Sequence, residues 1–249
     1  GSLKEQGRQA KYIYTIPTIQ NPTGTIMNRE RRLEMLEIAA EFNVPIFEDD
    51  CYSDLIWDQQ RPPAIYALDT DNRVIYCGTF SKTVAPALRV GYLVAHWDVM
   101  KHVLPLKTDA GSGALEQMVL AEFLPKHFDA HVDALMPMLK EKSEAIVDAL
   151  AENFGSAAEF TVPVGGIYIW VTLPENVDSQ KLAAAAAAEG IAINPGPEWT
   201  VYGDQNKHRM RLCFGHPTIE NIREGVAKLA DVCHQEFGVP LRSGNIDRA

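Results

Sequence analysis

The chain has 249 residues, of which 46% are hydrophobic and 22% charged, enough for a sizeable core in one large domain or two smaller ones. A formal net charge of −10 argues against nucleic acid or an anionic membrane as the main partner, since both prefer a basic surface. It leaves room for an anionic small molecule, because a pocket can be locally basic. No apolar run approaches the roughly 18 residues a bilayer span needs. Cys51, Cys77, Cys213 and Cys233 show neither CxxC nor metal-site spacing, and they read as reduced, buried thiols of a cytoplasmic protein. Gly1-Ser2 resembles an expression scar rather than part of a targeting signal.

In chain order, residues 11–17 (KYIYTIP) predict a strand, followed by a turn at Asn21-Pro22-Thr23-Gly24. Asn28 is placed to cap a helix that carries Leu33, Leu36 and Ala40 on one stripe. Apolar runs at 44–49, 73–80 and 90–95 predict further strands. Continuous apolar strands alternating with helices predict an α/β fold with a mostly parallel sheet covered on both faces. Ligands in such sheets sit at the carboxyl ends of the strands, and here those ends carry Asn21, Asp49 and Lys82.

The second half differs in character. A long helix is expected from about Lys126 to Phe154, kinked at Pro137. Strands at 167–173 and 209–215 frame an alanine-rich helix capped by Asp178 and closed by Gly190. A last helix from about Thr218 to Phe237 turns Ile222, Val226 and Leu229 inward. The expected organisation is a large domain over residues 1–130 and a smaller α+β domain over 131–249, with the boundary inside the long helix.

The chemistry centres on residues 78–92, GTFSKTVAPALRVGY. Lys82 lies in an apolar context with no acidic neighbour. The bland reading is a lysine that snorkels to the surface. Its surroundings favour another: a desolvated lysine is an amine nucleophile that condenses with an aldehyde. Thr79 and Ser81 offer hydroxyls, and Arg89 can grip a phosphate through two parallel hydrogen bonds. An aldehyde and a phosphate beside a lysine describe pyridoxal 5′-phosphate. That cofactor also needs a carboxylate on its ring nitrogen, and Glu48-Asp49-Asp50-Cys51-Tyr52 supplies candidates at a strand end. A solvated acidic turn or a divalent-cation site is the alternative for these acids, but no further oxygen ligands are singled out.

NPTG (21–24), EDDCY (48–52), TFSK (79–82), RVGY (89–92) and RLCF (211–214), in that order, resemble the fold-type I aminotransferases of the aspartate aminotransferase superfamily. The resemblance is strongest to the branch with aminoadipate and kynurenine aminotransferases and the effector domains of MocR-type regulators. It implies that Lys82 bonds the cofactor aldehyde and later carries the Cα proton, and that Asp49 pairs with the ring nitrogen. It places Asn21 and Tyr52 at the ring oxygen, and Thr79, Ser81 and Arg89 at the phosphate. Arg211, with Asn21 beside it, is implied for the substrate carboxylate. Arg209, two residues away on the same strand face, then reads as a solvent-edge charge.

The implied activity is amino transfer between an α-amino acid and a 2-oxo acid in a homodimer, with neither nucleic acid nor membrane as partner. A PLP-dependent C–S lyase and a MocR-type effector domain are the alternatives. His127 and His131 lack an HExxH context and read as a solvated helix face. Neither Gly165-Gly166 nor Gly111-Ser112-Gly113 meets the test for a phosphate loop, although the segment around Ser112 resembles one that approaches a partner subunit's cofactor. Family members carry a long segment before NPTG, with a glycine-rich turn and a ring-stacking aromatic, whereas 20 residues precede Asn21 here. The chain thus resembles the C-terminal portion of a longer enzyme, for which weak cofactor binding and little activity are expected.

Overall fold

The computed structural model describes residues 2–109, 111–202 and 205–241. They form two compact units, one built from residues up to Asn21 and Thr25–Ala134, the other from Pro22–Gly24 and Leu135 onward. The first unit contains α1 (Ser2–Glu5), β1 (Ile13–Thr15), α2 (Arg29–Glu41), β2 (Ile46–Asp49), α3 (Ile65–Leu68), β3 (Val74–Thr79), β4 (Gly91–Val94) and α4 (Trp97–Val103). It also holds the first part of α5 (Ala114–Phe154).

Its sheet has the order β1-β2-β3-β4. β1, β2 and β3 are parallel, and β4 returns antiparallel to β3. The β3–β4 connection is too short for a helical crossover, so only an antiparallel return is available. One face of the sheet packs Ile46 and Val74 against Ala39 of α2 and Ile65 of α3, with Met35 and Leu36 half-buried beside them. The expected helix stripe is therefore rotated. Arg32 and Ala39 are the buried positions of α2, while Leu33, Leu36 and Ala40 are half-exposed. Asn28 caps this helix as expected, its Oδ1 accepting the Arg31 N–H at 2.9 Å.

Arg32 is a side chain that burial alone would disfavour, and hydrogen bonding explains it. Its guanidinium donates to the carbonyls of Met27, Pro63 and Pro17 and to Thr18 Oγ1, at 2.9–3.2 Å. Those bonds fix the loop leading from β1 towards Asn21.

α5 starts at Ala114, twelve residues before the expected Lys126, and is helical without a break through Pro125 and Pro137. A proline removes one helix hydrogen bond, and a helix of 41 residues absorbs that local loss.

The second unit holds the remainder of α5 with β5 (Glu159–Phe160), β6 (Tyr168–Thr172), α6 (Ser179–Ala188), β7 (Asn194–Pro195), β8 (Arg209–Cys213) and α7 (Ile219–Phe237). The antiparallel sheet has the order β5-β6-β8-β7. Ile169, Val171, Met210 and Leu212 of the sheet and Ile222, Val226 and Leu229 of α7 are all buried. Asp178 caps α6 by accepting the N–H groups of Gln180 and Lys181. Gly190, at φ +78°, takes the left-handed position that ends the helix. The cysteines are all free, but only Cys233 is buried; Cys51 and Cys77 are half-buried and Cys213 is exposed, contrary to the uniform burial expected. No helix among the described residues is long and apolar enough to cross a membrane.

Candidate active site

In the first unit, Asp49 is the last residue of β2 and Thr79 the last of β3, with Asp49 paired in register to Cys77. Side chains alternate along a strand, so Glu48 and Asp50 turn away from the face that presents Asp49. Glu48 is buried and accepts the N–H groups of Ile65 and Tyr66, both at 2.8 Å, at the start of α3. Asp50 accepts the Tyr76 hydroxyl at 2.8 Å and Arg61 Nη2 at 2.9 Å. Burial, followed by the Asp50 hydrogen bond, raises the Tyr76 phenol well above its usual range. Of the three consecutive acids, two thus serve structure and Asp49 alone remains at the strand end.

Asp49 Oδ2 accepts the hydroxyl of Tyr14, from the neighbouring strand β1, at 2.6 Å. Tyr52, buried three residues beyond Asp49, meets Lys82: the ammonium Nζ lies 6.0 Å from the centre of the phenol ring. Cys51 stands in the field of both charges. Burial pushes its thiol up to about 12, Asp49 adds to the rise, and Lys82 opposes it.

Lys82 belongs to a turn held at several points. The Phe80 N–H bonds the Val90 carbonyl at 3.2 Å, and the N–H groups of Val84 and Ala85 both bond the Phe80 carbonyl. Thr79 Oγ1 lies 2.9 Å from Ser81 Oγ and accepts the Ser81 N–H at 3.1 Å. Arg89 ends a short 3-10 turn (Pro86–Leu88) in the left-handed conformation, φ 53°. Its guanidinium is exposed and donates back to the Pro86 carbonyl at 3.1 Å. Asn21 follows β1 within a turn closed by the Gln20 N–H on the Thr25 carbonyl at 2.8 Å. Asn21, Asp49, Tyr52, Thr79, Ser81, Lys82 and Arg89 thus all lie at or beyond the carboxyl ends of three parallel strands, where open α/β sheets bind ligands.

Arg211 lies in the second unit, on β8, in register with Asn194 of β7. Its Nη2 donates to Asn194 Oδ1 at 2.9 Å, and its guanidinium carbon is 4.2 Å from the centre of the Trp199 ring and 5.3 Å from that of Tyr168. Such stacking holds the plane of a guanidinium, as recognition of a carboxylate requires. Arg209 corrects the sequence reading. It is half-buried, bonds Asn206 Oδ1 at 3.3 Å and is no solvent-edge charge.

His131 is a second correction. Its Nε2 bonds the Thr83 carbonyl at 2.8 Å, directly after Lys82, whereas His127 is exposed as expected. Sequence reasoning also missed Tyr14, Arg61, Tyr76 and Trp199. The available signals were a tyrosine three residues before the predicted end of the first strand and the period-two alternation through Glu48, Asp49 and Asp50.

Residues 2–229 match the family model for aminotransferase class I and II, and the chain belongs to that family. It is 37% identical over 235 residues to an uncharacterised aminotransferase of Saccharolobus solfataricus, covering 93% of this chain and 58% of the relative. It is 32% identical over 235 residues to the uncharacterised HTH-type transcriptional regulator YisV of Bacillus subtilis, covering 93% of this chain and 48% of that protein. Among solved structures it resembles the kynurenine aminotransferase of Pyrococcus horikoshii in complex with PMP, with a TM-score of 0.87 at 34% identity. That match covers 97% of this chain and 59% of the other. The chain thus spans about half to three fifths of the length of these relatives.

Proposed function

We propose that the chain forms the catalytic part of a pyridoxal 5′-phosphate-dependent aminotransferase, moving an amino group between an α-amino acid and a 2-oxo acid. The observation that carries this reading is the meeting of Lys82 with Tyr52, 6.0 Å from Nζ to ring centre, at the strand ends that also present Asp49. The donor set suits the cofactor: an amine for the aldehyde, a carboxylate for the ring nitrogen, and two hydroxyls and a guanidinium for the phosphate. When bound, the cofactor supplies an electron sink that makes the substrate's Cα–H acidic.

In this reading Lys82 would hold the cofactor through its Nζ and would also move the Cα proton. Asp49 would pair with the ring nitrogen. Asn21 and Tyr52 would serve the ring oxygen, while Thr79, Ser81 and Arg89 would hold the phosphate. Arg211, held flat by Trp199 and Asn194, would receive the substrate carboxylate.

The test is hydrogen–deuterium exchange at Cα for a panel of amino acids with PLP, followed by NMR for the parent and Lys82→Ala. Lys82-dependent exchange supports the reading. Its absence with every amino acid refutes it.

A second reading has one specific support, the 32% identity to a transcriptional regulator. In that case the same residues bind the cofactor as a sensed ligand. PLP bound through Lys82 without Cα exchange would select it.

A homodimer in the cytoplasm completes the proposal. Leu106, Leu115 and Met118, all strongly exposed, favour self-association. Light scattering that finds only monomer at high concentration counts against the dimer.

A further inference from the structure

Tyr14 is a residue that the proposed roles do not use. β1 and β2 are parallel with Tyr14 opposite Phe47, so Asp49 lies two residues further along β2 on the same face. The Tyr14 and Phe47 rings are stacked, with centres 6.0 Å apart and planes 27° apart. That stacking lays the phenol along β2 and delivers its hydroxyl to Asp49 Oδ2 at 2.6 Å. Tyr14 is 55% exposed, so the ring contributes little to the core.

We infer that Tyr14 is a positioning residue for Asp49, occupying one carboxylate oxygen and turning the other towards the ring nitrogen of the bound cofactor. The inference rests on the aminotransferase reading above. A carboxylate on a strand end can rotate about its last torsion, and a donor on one oxygen removes that freedom. Burial, then the bond to Asp49, raises the Tyr14 phenol above its usual range, so it remains a donor throughout the neutral region. The other titratable groups around this contact are Cys51 and Cys77, with Lys82 acting on Cys51. The Cys51 thiol also hydrogen-bonds the Asp49 carboxylate, but from two residues along the same segment, whereas Tyr14 reaches it from the neighbouring strand.

The experiment is a PLP titration followed by visible absorbance across a pH series. It compares the parent, Tyr14→Phe, Lys82→Ala and Tyr12→Phe, the last being the same chemical change two residues away. Tyr14→Phe is expected to weaken PLP binding by about three- to tenfold, the worth of one ordinary hydrogen bond, because the lost bond acts on the cofactor only through Asp49. It should also move the pH midpoint of the visible band upward, because a poorly aimed carboxylate stabilises a protonated ring nitrogen less well and leaves less positive charge conjugated to the lysine link. Tyr12→Phe should match the parent in both. The melting temperature of the ligand-free protein should be the same for the parent, Tyr14→Phe and Tyr12→Phe, which separates positioning from folding.

If the parent shows a Lys82-dependent band and Tyr14→Phe matches it in affinity and pH midpoint, this inference alone falls. A parent with no Lys82-dependent band overturns the cofactor reading and this inference together.

Discussion

Arg32 and Glu48 face each other with Nη1 3.9 Å from Oε1, and neither side chain has any exposure to solvent. Each is satisfied chiefly by backbone: Arg32 by three carbonyls, Glu48 by two N–H groups. Burial lowers the pKa of the guanidinium and raises that of the carboxyl, and their mutual attraction opposes both shifts. Removing one partner strands the other. Arg32→Met is expected to destabilise the protein by about 3–5 kcal/mol, the usual cost of breaking a buried pair. Urea unfolding measures it. A loss below about 1 kcal/mol would show that the carbonyls and Glu48 find other partners.

Gly196 makes a comparable case in the second unit. A Cβ built there would lie 2.1 Å from the Asn206 carbonyl oxygen and 2.7 Å from that of Arg209. Both are backbone atoms and cannot swing aside. Gly196→Ala is expected to cost about 1–3 kcal/mol, as overpacking does. Because the displaced backbone leads into the strand that carries Arg211, substrate affinity should fall with stability. Thermal unfolding beside a KM determination checks both.

Those two sites show which parts of the molecule were legible in the sequence. Asp49 and Lys82 could be placed because apolar runs announce buried strands and a polar residue at the end of each run marks the ligand side. Arg32 could not. It reads as one more surface charge of a helix, and only the carbonyls of Met27, Pro17 and Pro63 explain it. Tyr14 and Asp49 meet through strand register, which no local pattern states. The first twelve residues of α5 were hidden by Pro125, whose usual meaning as a helix start was overridden by the surrounding helical chain.

Cys51 gives a pH prediction. Its thiol rises from an ordinary 9.0 to about 12 in the folded protein, so the fold retains a proton that the unfolded chain releases. That contribution to stability is complete below pH 9 and is lost as the pH climbs towards about 12. At pH 8 the thiolate fraction is about one in 10⁴, roughly a thousandfold below that of an ordinary thiol. Alkylation mapped by mass spectrometry should modify exposed Cys213 long before Cys51. Lys82→Ala removes a side-chain charge that stabilises this thiolate and should slow Cys51 further.

Arg211 separates charge from shape. Arg211→Lys keeps the charge but loses the planar fork, the bond to Asn194 and the stack on Trp199. On the aminotransferase reading, KM for the amino acid should rise about 10- to 100-fold, with kcat less affected. An unchanged KM would remove Arg211 from the substrate site.

The His131–Thr83 bond has a consequence for how the lysine is carried. A carbonyl oxygen can only accept, so Nε2 is the donor in this contact. The bond runs from a helix 48 residues away to the peptide unit just past Lys82, so it pins the lysine turn to that helix.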